Sequence, residues 1–236
     1  MPIAKLRLQD SSETPQRPYD HIGPRCGGAM SGLESFARIM HCRRAEEIYR
    51  QGEPIEYWYR VVSGVVRTYT VLGNGRRQIV ELLLPGDFFG FTGVDVHAFT
   101  AEAALQGAVV ARYSRRRAEM LADSDPQFGR RIRELAFEVI FRCQARMLVF
   151  GQITARNKVG RFVMELARRQ AGESDDTVEL PVSRYDIADY LALSVETVSR
   201  ALTDLQKRGA VVFADMHRVK IVDHRALGAS DEESEF

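Results

Sequence analysis

Two rhythms of apolar spacing divide the chain. Between Ile48 and Tyr113, short β-prone runs alternate with turn residues. The runs are Tyr57 to Val62, Val65 to Val71, Gln78 to Leu84, Phe99 to Leu105 and Gly107 to Tyr113. Ser63-Gly64, Gly73-Asn74-Gly75 and Pro85-Gly86-Asp87 stand between them. This spacing predicts antiparallel strands forming a small barrel or sandwich. Gly73-Asn74-Gly75 predicts a tight hairpin, because Gly and Asn tolerate positive φ.

From Ser124 the rhythm becomes helical. Ser124-Asp125-Pro126 has the form of a helix start, with a cap and Pro in the first turn. Ile132, Ala136, Ile140, Cys143, Met147 and Phe150 then recur in steps of three and four, a coiled-coil-like seam. Leu135, Val139 and Leu148 widen the apolar surface. A helix this long, apolar on two sides, needs two surfaces to cover it. One is its own barrel. The other is either the same helix of a second chain, giving a two-fold homodimer, or more of its own subunit. The homodimer is the expectation carried forward, with the six seam residues as its interface. Arg156 to Gln170 predicts a further amphipathic helix, with Val159, Phe162, Val163, Leu166 and Ala167 on one face.

The most informative stretch runs from Ser183 to Arg208. Ser183 with Asp186 three residues on is capping-box-like and predicts a helix over Arg184 to Leu191. Ala192-Leu193-Ser194 is a short connection whose Ser194 caps a second helix, Val195 to Lys207. Ile187, Ala188 and Leu191 on the first helix face Val198, Leu202 and Leu205 on the second, which is helix-turn-helix geometry. The second helix carries Glu196, Ser199, Arg200 and Thr203 on its outer stripe. Arg can donate two hydrogen bonds to guanine and Glu can accept from cytosine N4. Ser194, Val195 and Thr197 sit near the helix start, where bases or phosphates are met. By periodicity alone, the same stripe also fits a solvated face of an ordinary helical hairpin. Gly209 ends the helix, and Val211 to Phe213 followed by Val219 to Val222 predicts a β-hairpin wing. Arg218 and Lys220 on that wing are candidate phosphate contacts.

Composition narrows the function classes. The 236 residues are 45% hydrophobic and 28% charged, as in ordinary globular proteins. Net charge is +1, so a DNA-binding surface must be a local patch. No apolar run is long enough for a transmembrane helix, so no membrane partner is expected. Met1 to Asp20 lacks the apolar core of a secretory signal. Cys26, Cys42 and Cys143 are odd in number and widely spaced, which fits a reducing cytoplasm. No P-loop, zinc-ligand spacing or G-x-S-x-G occurs, so an enzyme is not expected, and no metal or cofactor is assigned. The predicted fold is α+β. It comprises a flexible N-terminal arm (1–27), an antiparallel β-roll (28–119) and a long dimerisation helix (120–155). A winged helix-turn-helix (156–228) and an acidic tail (229–236) follow.

The order of these parts, with their local text, resembles the CRP/FNR family of bacterial regulators. The closest motif is Ser183-Arg184-Tyr185-Asp186-Ile187-Ala188-Asp189-Tyr190-Leu191, followed by Leu193-Ser194-Val195-Glu196-Thr197-Val198-Ser199-Arg200. Arg76-Arg77-Gln78-Ile79-Val80 and Leu84-Pro85-Gly86-Asp87-Phe88-Phe89-Gly90 are similar to the family's barrel. Within the family the chain looks most like the FixK branch, which controls genes for low-oxygen respiration and nitrogen metabolism. The resemblance implies that Glu196, Ser199 and Arg200 read bases. FNR-type members with this Glu-x-x-Ser-Arg pattern read a TTGA-N6-TCAA palindrome, whereas the cyclic-AMP type has Gly where Ser199 stands.

Cyclic-nucleotide binding in the family uses a Gly-Glu pair and a following Arg. The matching stretch, Gly93-Val94-Asp95-Val96-His97-Ala98-Phe99-Thr100, has neither the Glu nor the Arg. FNR-type iron–sulfur sensing needs four cysteines. For haem, none of His21, His41, His97, His217 and His224 stands out as a ligand. The implied protein is an effector-independent regulator acting with RNA polymerase, expected to be an activator. A regulator gated by an unidentified ligand in the β-roll, or by cysteine oxidation, is the alternative. The turn Gly73 to Arg76 and a loop near Arg115 to Glu119 are candidate polymerase contacts by the same resemblance.

Overall fold

The computed structural model describes residues 35–151, 154–170 and 177–228. The expected N-terminal arm with Cys26 and His21, the acidic tail 229–236 and the side chain of Phe150 lie outside the described residues. An antiparallel roll comes first. Its strands are β1 (Arg38–Cys42), β2 (Glu47–Tyr49), β3 (Tyr57–Val71), β4 (Arg77–Leu83), β5 (Phe88–Phe89) and β6 (Thr100–Ser114). The sheet order is β1-β6-β3-β4, with β2 on β6 and β5 on β3. Three helices follow: α1 (Arg115–Ser124), α2 (Pro126–Gly151) and α3 (Ala155–Gln170). Next come β7 (Thr177–Glu179), α4 (Arg184–Leu191), α5 (Val195–Lys207), β8 (Val211–Phe213), β9 (Arg218–Ile221) and the short α6 (His224–Gly228).

The roll differs from the sequence expectation in one instructive way. Ser63-Gly64 does not turn the chain, and Tyr57 to Val71 is a single long strand. Its partner is the equally long β6, so the expected break between Leu105 and Gly107 is absent as well. The register shifts between Val61 and Ser63 and again between Gly64 and Val66. Gly64 (φ +74°) and Gly107 (φ +76°) meet at this double irregularity. A Cβ on Gly64 would lie 2.3 Å from the Gly107 carbonyl oxygen. Here the two glycines accommodate a bulge between paired strands, and a local reading takes Ser63-Gly64 for a turn. The Gly73-Asn74-Gly75 hairpin forms as expected: Gly75 has φ +78° and donates to Leu72 O, and Asn74 Oδ1 accepts from Arg76 N.

The helices also need adjustment. Arg115 to Glu119 is not a loop but the first half of α1. The helix start at Ser124-Asp125-Pro126 forms as expected, with Asp125 as the cap of α2: its carboxylate accepts from the backbone N–H groups of Gln127 and Phe128, with Pro126 in the first helical position. Ser124 instead bonds back to Met120 O and Leu121 O. Phe128 and Leu135 on α2 are buried against Phe88, Tyr113 and Ala118. Ile132 packs at the edge of that cluster.

A hydrophobic cluster runs without interruption from the roll (Val65, Ile79, Leu82, Leu84) into the helices and wing of the C-terminal part. Arginines reinforce it. Arg146 on α2 donates to Ile79 O on β4 and to Tyr190 O on α4, with its guanidinium 4.0 Å from the Tyr190 ring centroid. Arg169 on α3 donates to Leu82 O and pairs with Asp87. The C-terminal part is therefore docked on the roll, not merely tethered to it.

Gly64 gives a stability prediction. Gly64→Ala is expected to destabilise the fold by about 1–3 kcal/mol. Gly73→Ala, at a position with nothing within 4 Å of an added Cβ, should change stability by under ~0.5 kcal/mol. Urea unfolding of both variants checks the difference.

Candidate DNA-reading surface

The helix-turn-helix forms with the expected limits, because its signals are local. Ser183 caps α4 and Asp186 returns the bond to the Ser183 backbone, a complete capping box. Ala192 ends α4 in the left-handed region, at φ 55°. Ser194 then caps α5 by accepting from Thr197 N at 3.1 Å. Val198, Ala201, Leu202 and Leu205 bury the inner face of α5. Arg156 of α3 donates to Asp204 at 3.0 Å, a further tie on the same helix. A helix of 13 residues is marginal alone, so this anchoring fixes which face looks outward.

The outward face carries the predicted readers. Glu196 and Arg200 are exposed and Ser199 is half-buried between them. Ser199, Arg200, Thr203, Asp204 and Lys207 line a shallow concavity of about 290 Å³. Hydrogen bonds from its own backbone N–H and from the Ser194 hydroxyl, with Arg200 nearby, hold the Glu196 carboxyl below the usual carboxylate range. Glu196 is thus an ionised acceptor at neutral pH. Three other predicted residues have structural tasks. Ser194 and Thr197 hydrogen-bond each other at 3.0 Å and build the helix start. Val195 is half-buried and packs on the core of the C-terminal part, which limits what it can offer a thymine methyl.

Sequence reasoning missed Arg184. It sits at the start of α4, exposed, and its Nη1 donates to Ser199 Oγ at 3.3 Å. The two are neighbours only across the helix pair, so no period along the chain reveals the contact. The wing also differs in detail. It is three-stranded, in the order β7-β9-β8; the unforeseen β7 comes from Thr177–Glu179, and β9 stops at Ile221, one residue before Val222. Arg218 is paired with Asp215 at 2.7 Å, whereas Lys220 is exposed on β9.

The predicted dimer seam is distributed along α2. Ile132 and Ala136 are half-buried, and Ile140 (51% exposed), Cys143 and Met147 (72% exposed) face outward. Phe137, which the seam did not include, is 67% exposed.

The comparisons with known proteins agree with this architecture. Residues 157–230 match the Crp-like helix-turn-helix domain and residues 39–125 the cyclic nucleotide-binding domain. The nitrogen fixation regulation protein FixK of Rhizobium meliloti is 36% identical over 208 residues, covering 88% of this chain and 91% of that protein. FixK of Azorhizobium caulinodans is 39% identical over 191 residues, covering 80% of this chain and 77% of that protein. The chain belongs to the CRP/FNR family, in its FixK-like branch. The solved structure of FixK2 from Bradyrhizobium japonicum superimposes with a TM-score of 0.76 at 38% identity, over 81% of this chain and 95% of that one.

As a CRP/FNR regulator, the chain fills its roll in a particular way. Tyr49, Tyr59 and Phe89 are buried in ring contact, and the His97 ring stacks on Tyr49 at 3.6 Å. The backbone of His97 exchanges hydrogen bonds with Gly52 and Glu53. A Cβ on Gly90 would lie 2.7 Å from the Tyr59 ring. The Gly93 to Thr100 stretch therefore inserts an imidazole into an aromatic stack. Burial lowers the His97 pKa, which favours the neutral ring. Cys42 lies buried in β1, where burial and then Glu46 push its thiol pKa up, and Cys143 lies exposed on α2.

Ser194→Ala is expected to lower unfolding free energy by about 1 kcal/mol, and Ser194→Asp to restore the cap. Denaturant titration of the two variants checks this.

Proposed function

We propose that this CRP/FNR-type regulator acts in the cytoplasm as a homodimeric activator on TTGA-N6-TCAA-type palindromes, without a small-molecule effector. The observation that carries the reading is the placement of exposed Glu196 and Arg200, with half-buried Ser199 between them, on the outer face of α5 while its opposite face is buried. Two such helices, one per protomer, enter successive major grooves about one helical turn apart. Arg200 donates to guanine and Glu196 accepts from cytosine N4. Lys220 on the wing meets phosphate, which positions the domain without specifying sequence. The names of the FixK relatives point to nitrogen fixation, and the branch to low-oxygen and nitrogen metabolism, as the genes controlled. RNA polymerase is the partner through which activation proceeds.

The exposed stripe Phe137, Ile140 and Met147 on α2 supports the homodimer, since large apolar groups along one helix face call for a covering surface. The aromatic packing in the roll supports effector independence. The stretch aligned by resemblance with a phosphate-binding loop is occupied by His97 on Tyr49, and it supplies no cation for a buried phosphate.

Gel shifts with half-site substitutions test the palindrome; equal binding to scrambled half-sites would count against it. Arg200→Ala should weaken specific binding by about 1–3 kcal/mol and leave non-specific binding nearly intact. Ile140→Glu should yield monomers by sedimentation. A monomer that still binds the full palindrome tightly contradicts the dimer.

A further inference from the structure

The roll grips the helix-turn-helix through a compact ionic cluster. Arg67 on β3 faces Glu102 on β6 as a direct cross-strand pair, at 2.7 Å. Arg67 Nη1 also donates to Asp186 of α4. Arg77 on β4 reaches three carboxylates: Glu102 at 3.1 Å, Asp186 at 3.0 Å and Asp189 at 3.0 Å. Its neighbours join in. Arg76 donates to Leu193 O at 2.7 Å, one residue before the Ser194 cap of α5, and Gln78 donates to Asp189 O. Asp186 is 1% exposed, Glu102 6% and Arg67 9%.

These contacts fix an orientation, not only a contact area. Apolar packing tolerates sliding, whereas charged groups buried in pairs must keep their partners, because an unpaired buried charge is costly. Each arginine holds both Asp186 and Glu102, so α4 cannot swing without breaking several bonds together. Arg146 of α2 bonds to β4 and to α4 at once, which refers the same orientation to the long helix. The position of α5 relative to α2 is thus set through the roll as well as through the chain connection from α2 to α3.

We propose that Arg67 and Arg77 are positioning residues that set half-site spacing: by gripping Asp186 and Asp189 they hold each recognition helix at one distance and phase from the dimer axis. The inference rests on the homodimer–palindrome reading above. The arginines touch no base, so they govern the separation of the half-sites and not their sequence.

The test is a spacer scan. Binding of the full-length protein is measured on palindromes whose half-sites are separated by four to eight base pairs, and on a single half-site. The wild type is expected to prefer one spacer by about tenfold or more. Arg77→Ala and Asp189→Asn should each reduce that preference by roughly fivefold, with base preference inside the half-site and single half-site affinity unchanged. Arg76→Ala, which alters only an exposed side chain bonded to Leu193 O, should act in the same direction and serves if Arg77→Ala does not fold. Variants as strict in spacing as a strict wild type overturn the proposal alone. A uniform loss of affinity at every spacer also overturns it, since that is what a purely structural role produces. A wild type indifferent to spacing overturns the proposal together with the palindrome reading.

Discussion

Burial of one face of α5 is the constraint on which the rest depends. Val198, Leu202 and Leu205 are almost wholly removed from solvent, and nothing in a short helix would otherwise choose which side faces outward. With the inner face committed, Glu196 and Arg200 project away from the domain, with Ser199 half-buried between them. Their chemistry then has a direction as well as an identity. The caps serve the same end. Ser194 and Thr197 spend their hydroxyls on the helix start, so the outer stripe begins from a fixed origin.

The docking of the helix-turn-helix on the roll carries that direction across the molecule. One apolar cluster spans both parts, and the arginines of β3, β4, α2 and α3 bind acceptors on the opposite side of the seam. Asp186 illustrates the economy of the arrangement. The same carboxylate closes the capping box of α4 and receives Arg67 and Arg77 from the roll. A local helix signal and a long-range tie are thereby one group.

How much of this the sequence disclosed follows from the distance over which each feature is encoded. The limits of α4 and α5 were legible because capping, periodicity and the terminating Gly209 all lie within a few residues of what they determine. The Gly73 to Gly75 hairpin was legible for the same reason. Gly64 misled because a glycine with positive φ serves a turn and a bulge alike, and only the partner strand decides which. Strands β1, β2, β5 and β7 are short and take their definition from pairing. The contacts of Arg67, Arg77 and Arg146 span long stretches of chain and leave no periodic trace; they read as ordinary charged residues. The shared outer stripe of Glu196, Ser199 and Arg200 was legible from helical spacing, whereas the Arg184–Ser199 contact depends on the crossing of two helices. The half-burial of Val195 depends on packing that the pattern underdetermined.

The most direct measurement of the central claim is a selection from randomised duplex DNA, using purified protein and no added ligand. An inverted TTGA repeat with six intervening base pairs is expected to be enriched. Recovery of no consensus, or of one only after a small molecule is supplied, contradicts it.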